Sequence, residues 1–442
     1  MSHQDGTDVR TNLQTFKAAL KDLLEEGLAD VVRHGNAVFD PCWLACAGLA
    51  CWGWTKGSTL DQRIDTSRTL ANRIFSTNHS VTRQGLMKAM ASCETLFERV
   101  VDAMVSKSQG LRDAWNSGAN LDFVVDGTKF LAPRTVANQA RFSAAANRKN
   151  KRYKNASDQS KAMTAQVLTT VLYHLGTGLP YRWRVGEANA SERNHLLEML
   201  DDLPAKARLI ADAEYVGFKL WNGIHQSGRT FVVRVGANVR LIKNLGKRKY
   251  RDGYVYYWPK QAQRQEAPLL FRLIRIQHGR RRYYLLTNDL TMSDKEACAL
   301  YDKRWGIELF FRSIKQSCER SKLCCCTPTN IVTEINWTLL GIWFALYKGR
   351  ETLEKQRANK RFSPVKVVRA FEAAVMAIAT AAKRARLLEE MLSEATIIDE
   401  SHRNTSKKSR SYPRKRKRKA SGPPIIRPPT TEERQAAAHF LC

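Results

Sequence analysis

Residues Tyr301–Lys315 read YDKRWGIELFFRSIK, and the spacing of the polar side chains in this stretch governs how the rest of the chain is read. Tyr301, Arg304, Glu308 and Lys315 follow one another at offsets of three, four and seven. At about 100° per helical residue these four fall within an arc of roughly 60°. Leu300, Ile307, Phe310, Phe311 and Ile314 gather to one side of that arc and are expected to face a core. An acid, two bases and a phenol on one stripe admit two readings. One is a salt-bridged surface helix, since Arg304 and Glu308 stand at i,i+4; the other is a row of groups aimed at a ligand.

The surrounding composition favours a polyanionic ligand. The chain has 442 residues, 43% of them hydrophobic, enough for two or three domains with cores of their own. Its 73 Lys and Arg against 42 Asp and Glu leave a net charge of +31, which points to nucleic acid as partner. The ten Lys and Arg between Arg403 and Lys419 do not account for this excess, so the folded body is basic as well. Ten cysteines without a signal peptide at MSHQDGTDVR suggest a reducing cytoplasm. The run Cys324-Cys325-Cys326 lacks the CxxC spacing of a structural zinc site. Ile331–Tyr347, the most apolar segment, is interrupted by Glu334 and Asn336 and is too short and polar to span a bilayer, so a soluble protein is expected.

Outward from the organising stretch, residues 1–115 read as all helical. Helices are expected around Leu13–Leu24, from Pro41 through Trp52, and from Leu60 to Phe75. STNHS then precedes a fourth helix opening with Thr82, Arg83 and Gln84; this pair reads either as a DNA-reading helix-turn-helix or as an ordinary helical hairpin. The pattern changes at LDFVVDGTKF, where a buried strand is expected to end on Asp126-Gly127. A basic linker, Asn147–Lys154, leads to a β-hairpin around Gly176-Thr177-Gly178 and to a helix capped by Ser191. ARLIAD ends a further strand on Asp212. From about Gly217 to Asp289 the alternation reads as β throughout, an inserted sheet. Ser293 or Asp294 then caps the helix that carries Glu308. Two more helices are expected, Ile331–Lys348 and Pro364–Leu392, and the Pro-rich basic segment beyond Ser401 reads as disordered.

Three carboxylates stand out by context: Asp126 and Asp212 at strand ends, Glu308 on the core-flanking side of a helix. Hard divalent cations such as Mg²⁺ take oxygen ligands and keep positions open for water and phosphate. Two of them about 3.5–4 Å apart suit phosphodiester chemistry. Asp122, Asp201, Asp202 and Glu214 compete for the same roles.

Tyr301, Arg304, Glu308 and Lys315 match the Y-x2-R-x3-E-x6-K signature of bacterial insertion-sequence DDE transposases, and over residues 60–350 the chain resembles that family. FVVDGT around Asp126 and IADAEYVG around Asp212 resemble the strands that bear its two aspartates. The resemblance implies an α/β, ribonuclease-H-like catalytic domain with a β-rich insertion, an all-helical N-terminal region and C-terminal helices. The corresponding division is a helical DNA-binding region at 1–115, catalytic segments at 116–216 and 291–350, the insertion at 217–290, a helical region at 351–400 and a basic disordered tail at 401–442.

The resemblance further implies that Asp126, Asp212 and Glu308 hold two Mg²⁺ ions, with Mn²⁺ able to substitute, and cut DNA at element ends before strand transfer. Tyr301, Arg304 and Lys315 are implied as binders of terminal phosphates. In some relatives a Trp of the insertion receives a flipped-out base during a hairpin route; here Trp258, then Trp221, is the candidate, against a simple packing role. Double-stranded DNA, without membrane, is the implied partner. A homodimer in the DNA complex and a cytoplasmic, nucleoid-associated bacterial location follow from the same resemblance. The alternatives are a metal-dependent nuclease that does not join, and an inactive derivative that only binds DNA.

Overall fold

Two apolar runs, FVV before Asp126 and RLIA before Asp212, are buried on both sides and build the centre of a ten-stranded sheet. The computed structural model describes residues 7–28, 38–55, 59–116, 120–143, 164–278, 281–356, 363–382, 385–395 and 422–441. The N-terminal helices are α1 (Thr7–Leu28), α2 (Pro41–Gly48, continued by a π-helical turn over Leu49–Trp54), α3 (Leu60–Phe75), α4 (Arg83–Ala91) and α5 (Glu94–Gly110). Their starts are locally encoded. Asp40 accepts from the Cys42 amide (2.9 Å) ahead of Pro41, Thr59 and Gln62 form a capping box, and the Thr82 hydroxyl accepts from the Gly85 amide.

Strand β1 (Leu121–Leu131) is followed by β2 (Gln166–His174) and β3 (Leu179–Gly186), a meander paired antiparallel as β1–β2–β3. Gly178, with φ of +71°, makes the tight turn between β2 and β3 that a side chain would strain. After helix α6 (Glu192–Glu198), β4 (Ala207–Ala211) joins β1 in parallel. Helix α7 (Phe218–Gln226) then crosses to β5 (Thr230–Val235), which is parallel to β4. The order β3-β2-β1-β4-β5, three antiparallel strands followed by two parallel ones, is ribonuclease-H-like.

Two expectations for the next segment change. The stretch read as β throughout from Gly217 opens with α7, because Leu220, Trp221 and Ile224 fall at helical spacing and bury on the sheet. The insertion is also not a separate sheet. The edge of β5 pairs antiparallel with β9 (Arg281–Thr287), and β8 (Leu269–His278), β7 (Tyr254–Tyr257) and β6 (Arg240–Ile242) continue the same surface outward. Open edges seek partners, and here the core sheet supplies one.

Helices α8 (Asp294–Lys303) and α9 (Trp305–Arg312) return the chain to the core, with the Ser293 hydroxyl capping α8. Helix α10 (Pro328–Lys355) packs under the sheet, followed by α11 (Pro364–Ala379) and α12 (Leu388–Ala395). The expected Pro364–Leu392 helix is thus two helices. The N-terminal helices share one apolar core with α10 and α11. The contact is close: a Cβ on Gly53 would lie 2.6 Å from the Cα of Gly341, so both positions need glycine. No described helix is long and apolar enough to cross a membrane.

The C-terminal part of the expected disordered tail is folded. Strand β10 (Ile425–Arg427) adds to β6 in parallel, and helix α13 (Thr431–Ala438) opens on a Thr430–Glu433 capping box. Glu433 is buried, and Arg427, pairing with it at 2.7 Å, helps hold its carboxyl down at about 2. The basic run 401–421 and the Asn147–Lys154 linker lie outside the described residues. The Cys324 and Cys325 amides donate to the buried Glu334 carboxylate, a structural use of this segment.

Candidate active site

The register of β1 and β4 creates the site. Their parallel pairing ends at Val124 opposite Ile210, and two residues further along each strand come Asp126 and Asp212. Equal offsets from a paired position put both acids on the same face of neighbouring strands, whose spacing is about 4.8 Å. That face is the one on which Val124 and Ile210 join the α10 core, while Phe123 and Val125 face α6 and α7. Contrary to expectation, β1 does not end at Asp126; it continues to Leu131 on the strength of its β2 pairing. The crevice opens at Asp126 because β4 stops there, and such openings are where α/β sheets carry function.

Burial and the neighbouring Asp212 charge push the Asp126 carboxyl up to about 7, against an amide donated by Gly127 at 2.9 Å. Asp212 accepts from the Glu214 amide at 2.8 Å, a local turn that fixes its rotamer. Across the crevice, α9 presents Glu308, which accepts from the Arg304 guanidinium at 2.6 Å. The same guanidinium stands 3.8 Å from Asp126. Asp126, Arg304 and Glu308 are therefore one chain of alternating charge, with side chains 20%, 16% and 29% exposed.

The expected single stripe is segmented. Arg304 lies at the seam between α8 and α9, and Ser313–Ser317 form a π-helical turn that widens the helix before Lys315. Tyr301 sits with its ring 5.7 Å from the Arg304 guanidinium, and burial raises its phenol. Lys315 donates to the Lys129 carbonyl of β1 at 2.7 Å, and burial lowers its ammonium. Tyr301, Arg304 and Glu308 thus lie by the two aspartates, and Lys315 sits further along β1.

Trp258 does not join them. It is 3% exposed, donates its indole N–H to the Glu266 carbonyl at 2.7 Å, and meets the Phe440 ring edge-on at 6.0 Å. Trp221 is equally enclosed, stacked on Phe231. An indole covered on its faces offers no platform to a base, so both assignments give way to packing. Trp305, one residue beyond Arg304, is 49% exposed, with Leu309 beside it one turn on at 40%. Its signal was in the organising stretch itself: an indole on the helix side away from Ile307 and Phe310.

The donor chemistry fits a hard divalent cation: carboxylate oxygens on two strands and a helix, two of them already repelling one another. Among the described residues no three of these groups converge tightly enough to hold an ion as they stand. The Arg304 guanidinium stands between two of them, 2.6 Å from Glu308 and 3.8 Å from Asp126.

The family model described as the transposase DDE domain matches residues 118–344, which span β1 through most of α10. Among solved structures, a cryo-EM structure of the piggyBac transposase synaptic complex with hairpin DNA is similar with a TM-score of 0.40. Its identity is 11%, over 92% of this chain and 88% of that chain. A search of the curated proteins finds no match.

Proposed function

We propose, for a chain that belongs to the family of transposases with a DDE domain, that it cleaves DNA at the ends of a mobile element and joins the freed ends to target DNA. The observation that supports this reading is the β1–β4 register, which pairs Val124 with Ile210 two residues before Asp126 and Asp212, with Arg304 linking Asp126 to Glu308. These three would hold Mg²⁺, two ions in all with Mn²⁺ able to substitute, and the bound ions would supply an activated water and neutralise the scissile phosphate. Glu308 would join the pair by giving up its bond to Arg304. Arg304, released from it, and Lys315 neutralise phosphates along the crevice, and the Tyr301 phenol donates a hydrogen bond to the backbone. Because Trp258 is closed off, a stacking role passes to Trp305. A second copy of the chain is expected on the second end.

The test is a labelled duplex of the element end with supercoiled target, in Mg²⁺ and in EDTA. Metal-dependent nicking at the end with joined product is the expected result; nicking without joining would leave a nuclease. Glu308→Gln is expected to keep DNA affinity and lose cleavage. Full cleavage by that variant would remove Glu308 from the site.

A further inference from the structure

A fourth acid reaches the site from the opposite side of the sheet. Side chains alternate across a strand, so Gly127 faces α6 where Asp126 faces the crevice. A Cβ on Gly127 would stand 2.3 Å from the carboxyl carbon of Glu192 and 2.4 and 2.6 Å from its oxygens. The Glu192 carboxylate thus fills the place of a residue-127 side chain, and only glycine lets it lie against β1. Ser191 caps α6 and fixes Glu192 as its first residue. The buried Tyr215 phenol donates to Glu192 Oε2 at 2.9 Å, three residues after Asp212.

The surroundings are wrong for an acid kept only for stability. Its electrostatic neighbours include Asp212 and Glu214, with Lys129 the base among them, and its own charge adds to the repulsion felt by Asp126. Among the described residues its other oxygen accepts no hydrogen bond. An acid whose purpose was to tie α6 to the sheet would be better placed beside a base. A carboxylate held half-buried near two others is explained by a cation that is shared among them.

We propose that Glu192 is a positioning residue for the cation held by Asp126 and Asp212, gripping it through the water that such ions retain. Hard cations of this kind keep several waters, and acids that orient those waters contribute to affinity. The inference rests on the reading of Asp126 and Asp212 as the cation-holding pair.

The experiment measures Mn²⁺ binding to the full chain, without DNA, from the paramagnetic resonance signal of the free ion. Asp126→Asn is expected to abolish binding, and Glu192→Gln to weaken it about tenfold. Gly127→Ala leaves every acid in place but puts a methyl where the carboxylate lies, and is expected to weaken binding by a similar factor. Combining Gly127→Ala with Glu192→Gln is expected to weaken it no further, since both remove one contact. Thermal unfolding without metal is expected to place Glu192→Gln, which keeps an acceptor for Tyr215, within about 2 °C of the parent and to show Gly127→Ala folded with a single cooperative transition. Wild-type Mn²⁺ affinity in both, with binding lost in Asp126→Asn, would overturn the role of Glu192 and leave the pair intact. Unchanged binding in Asp126→Asn would instead overturn the reading of the pair.

Discussion

Replacing Asp126 by Asn is expected to make the metal-free protein more stable at alkaline pH, although it removes a residue central to the site. Burial and the Asp212 charge raise this carboxyl to about 7, from an ordinary value of 3.8. The folded chain therefore keeps a proton that the unfolded chain has released, and between roughly pH 4 and 7 stability falls as pH rises. Above pH 7 the whole penalty is present, on the order of 4 kcal/mol for a difference of about three pKa units. Asn is isosteric, keeps an acceptor for the Gly127 amide at 2.9 Å and carries no charge to bury. Urea unfolding in EDTA at pH 8 and pH 5.5 checks the sign and the size. The variant should exceed the parent by a few kcal/mol at pH 8, and the gap should close by about half at pH 5.5. Added Mg²⁺ should stabilise only the parent and narrow the gap at pH 8. A variant no more stable than the parent at pH 8, or a gap that ignores pH, would refute the claim that this acid is held at a cost.

Arg304→Ala removes the guanidinium that joins Asp126 to Glu308. It should bind Mn²⁺ more tightly than the parent without DNA yet cleave at least tenfold more slowly, and weaker Mn²⁺ binding would contradict its part as a placeholder. Lys315→Ala should lower affinity for duplex DNA and reduce the salt slope of binding by about 1, as for the loss of one phosphate contact; an unchanged slope would take Lys315 off the DNA path. Trp305→Ala, at an indole that is 49% exposed, should leave urea stability unchanged and weaken binding to end DNA by about 1–3 kcal/mol, as for loss of a stacked base. Deleting residues 422–442 uncovers β6 and the Trp258 ring now met by Phe440. It should shift tryptophan emission to the red and lower the unfolding temperature, and an unchanged spectrum would mean that the segment bearing Phe440 does not shield Trp258.

What the sequence made legible was local chemistry, and what it concealed was register and distance. FVV before Asp126 and RLIA before Asp212 announced two buried strands, but no pattern within either says that Val124 faces Ile210 and so aligns the acids. The i,i+4 pairing of Arg304 with Glu308 was readable, whereas the seam at Arg304 and the π turn before Lys315 depend on how α9 docks. Helix α7 had a helical period in FKLWNGIH that the flanking strands drowned. For Trp258 the deciding neighbour, Phe440, lies far away in sequence. The Thr430–Glu433 capping box was a local signal next to a basic Pro-rich run, and the run dominated the reading. Glu192 had no motif at all; its meaning comes from the missing side chain of Gly127.

The two halves of the site are held by different kinds of structure, and this divides their labour. Asp126 lies within β1, where moving it means breaking the ladder to β2, and Asp212 is the first residue past β4, its carboxylate fixed by the Glu214 amide. Glu308 belongs to a short helix between a seam and a π turn, tied across the crevice by a salt bridge rather than by backbone. A side-chain ion pair can change partners without breaking secondary structure, which the β1 ladder cannot. Phosphate drawn to Arg304 would release Glu308 at the place where it is needed. On the proposed function, loading of the site would be coupled to DNA through Arg304, while Asp126 stays fixed in β1.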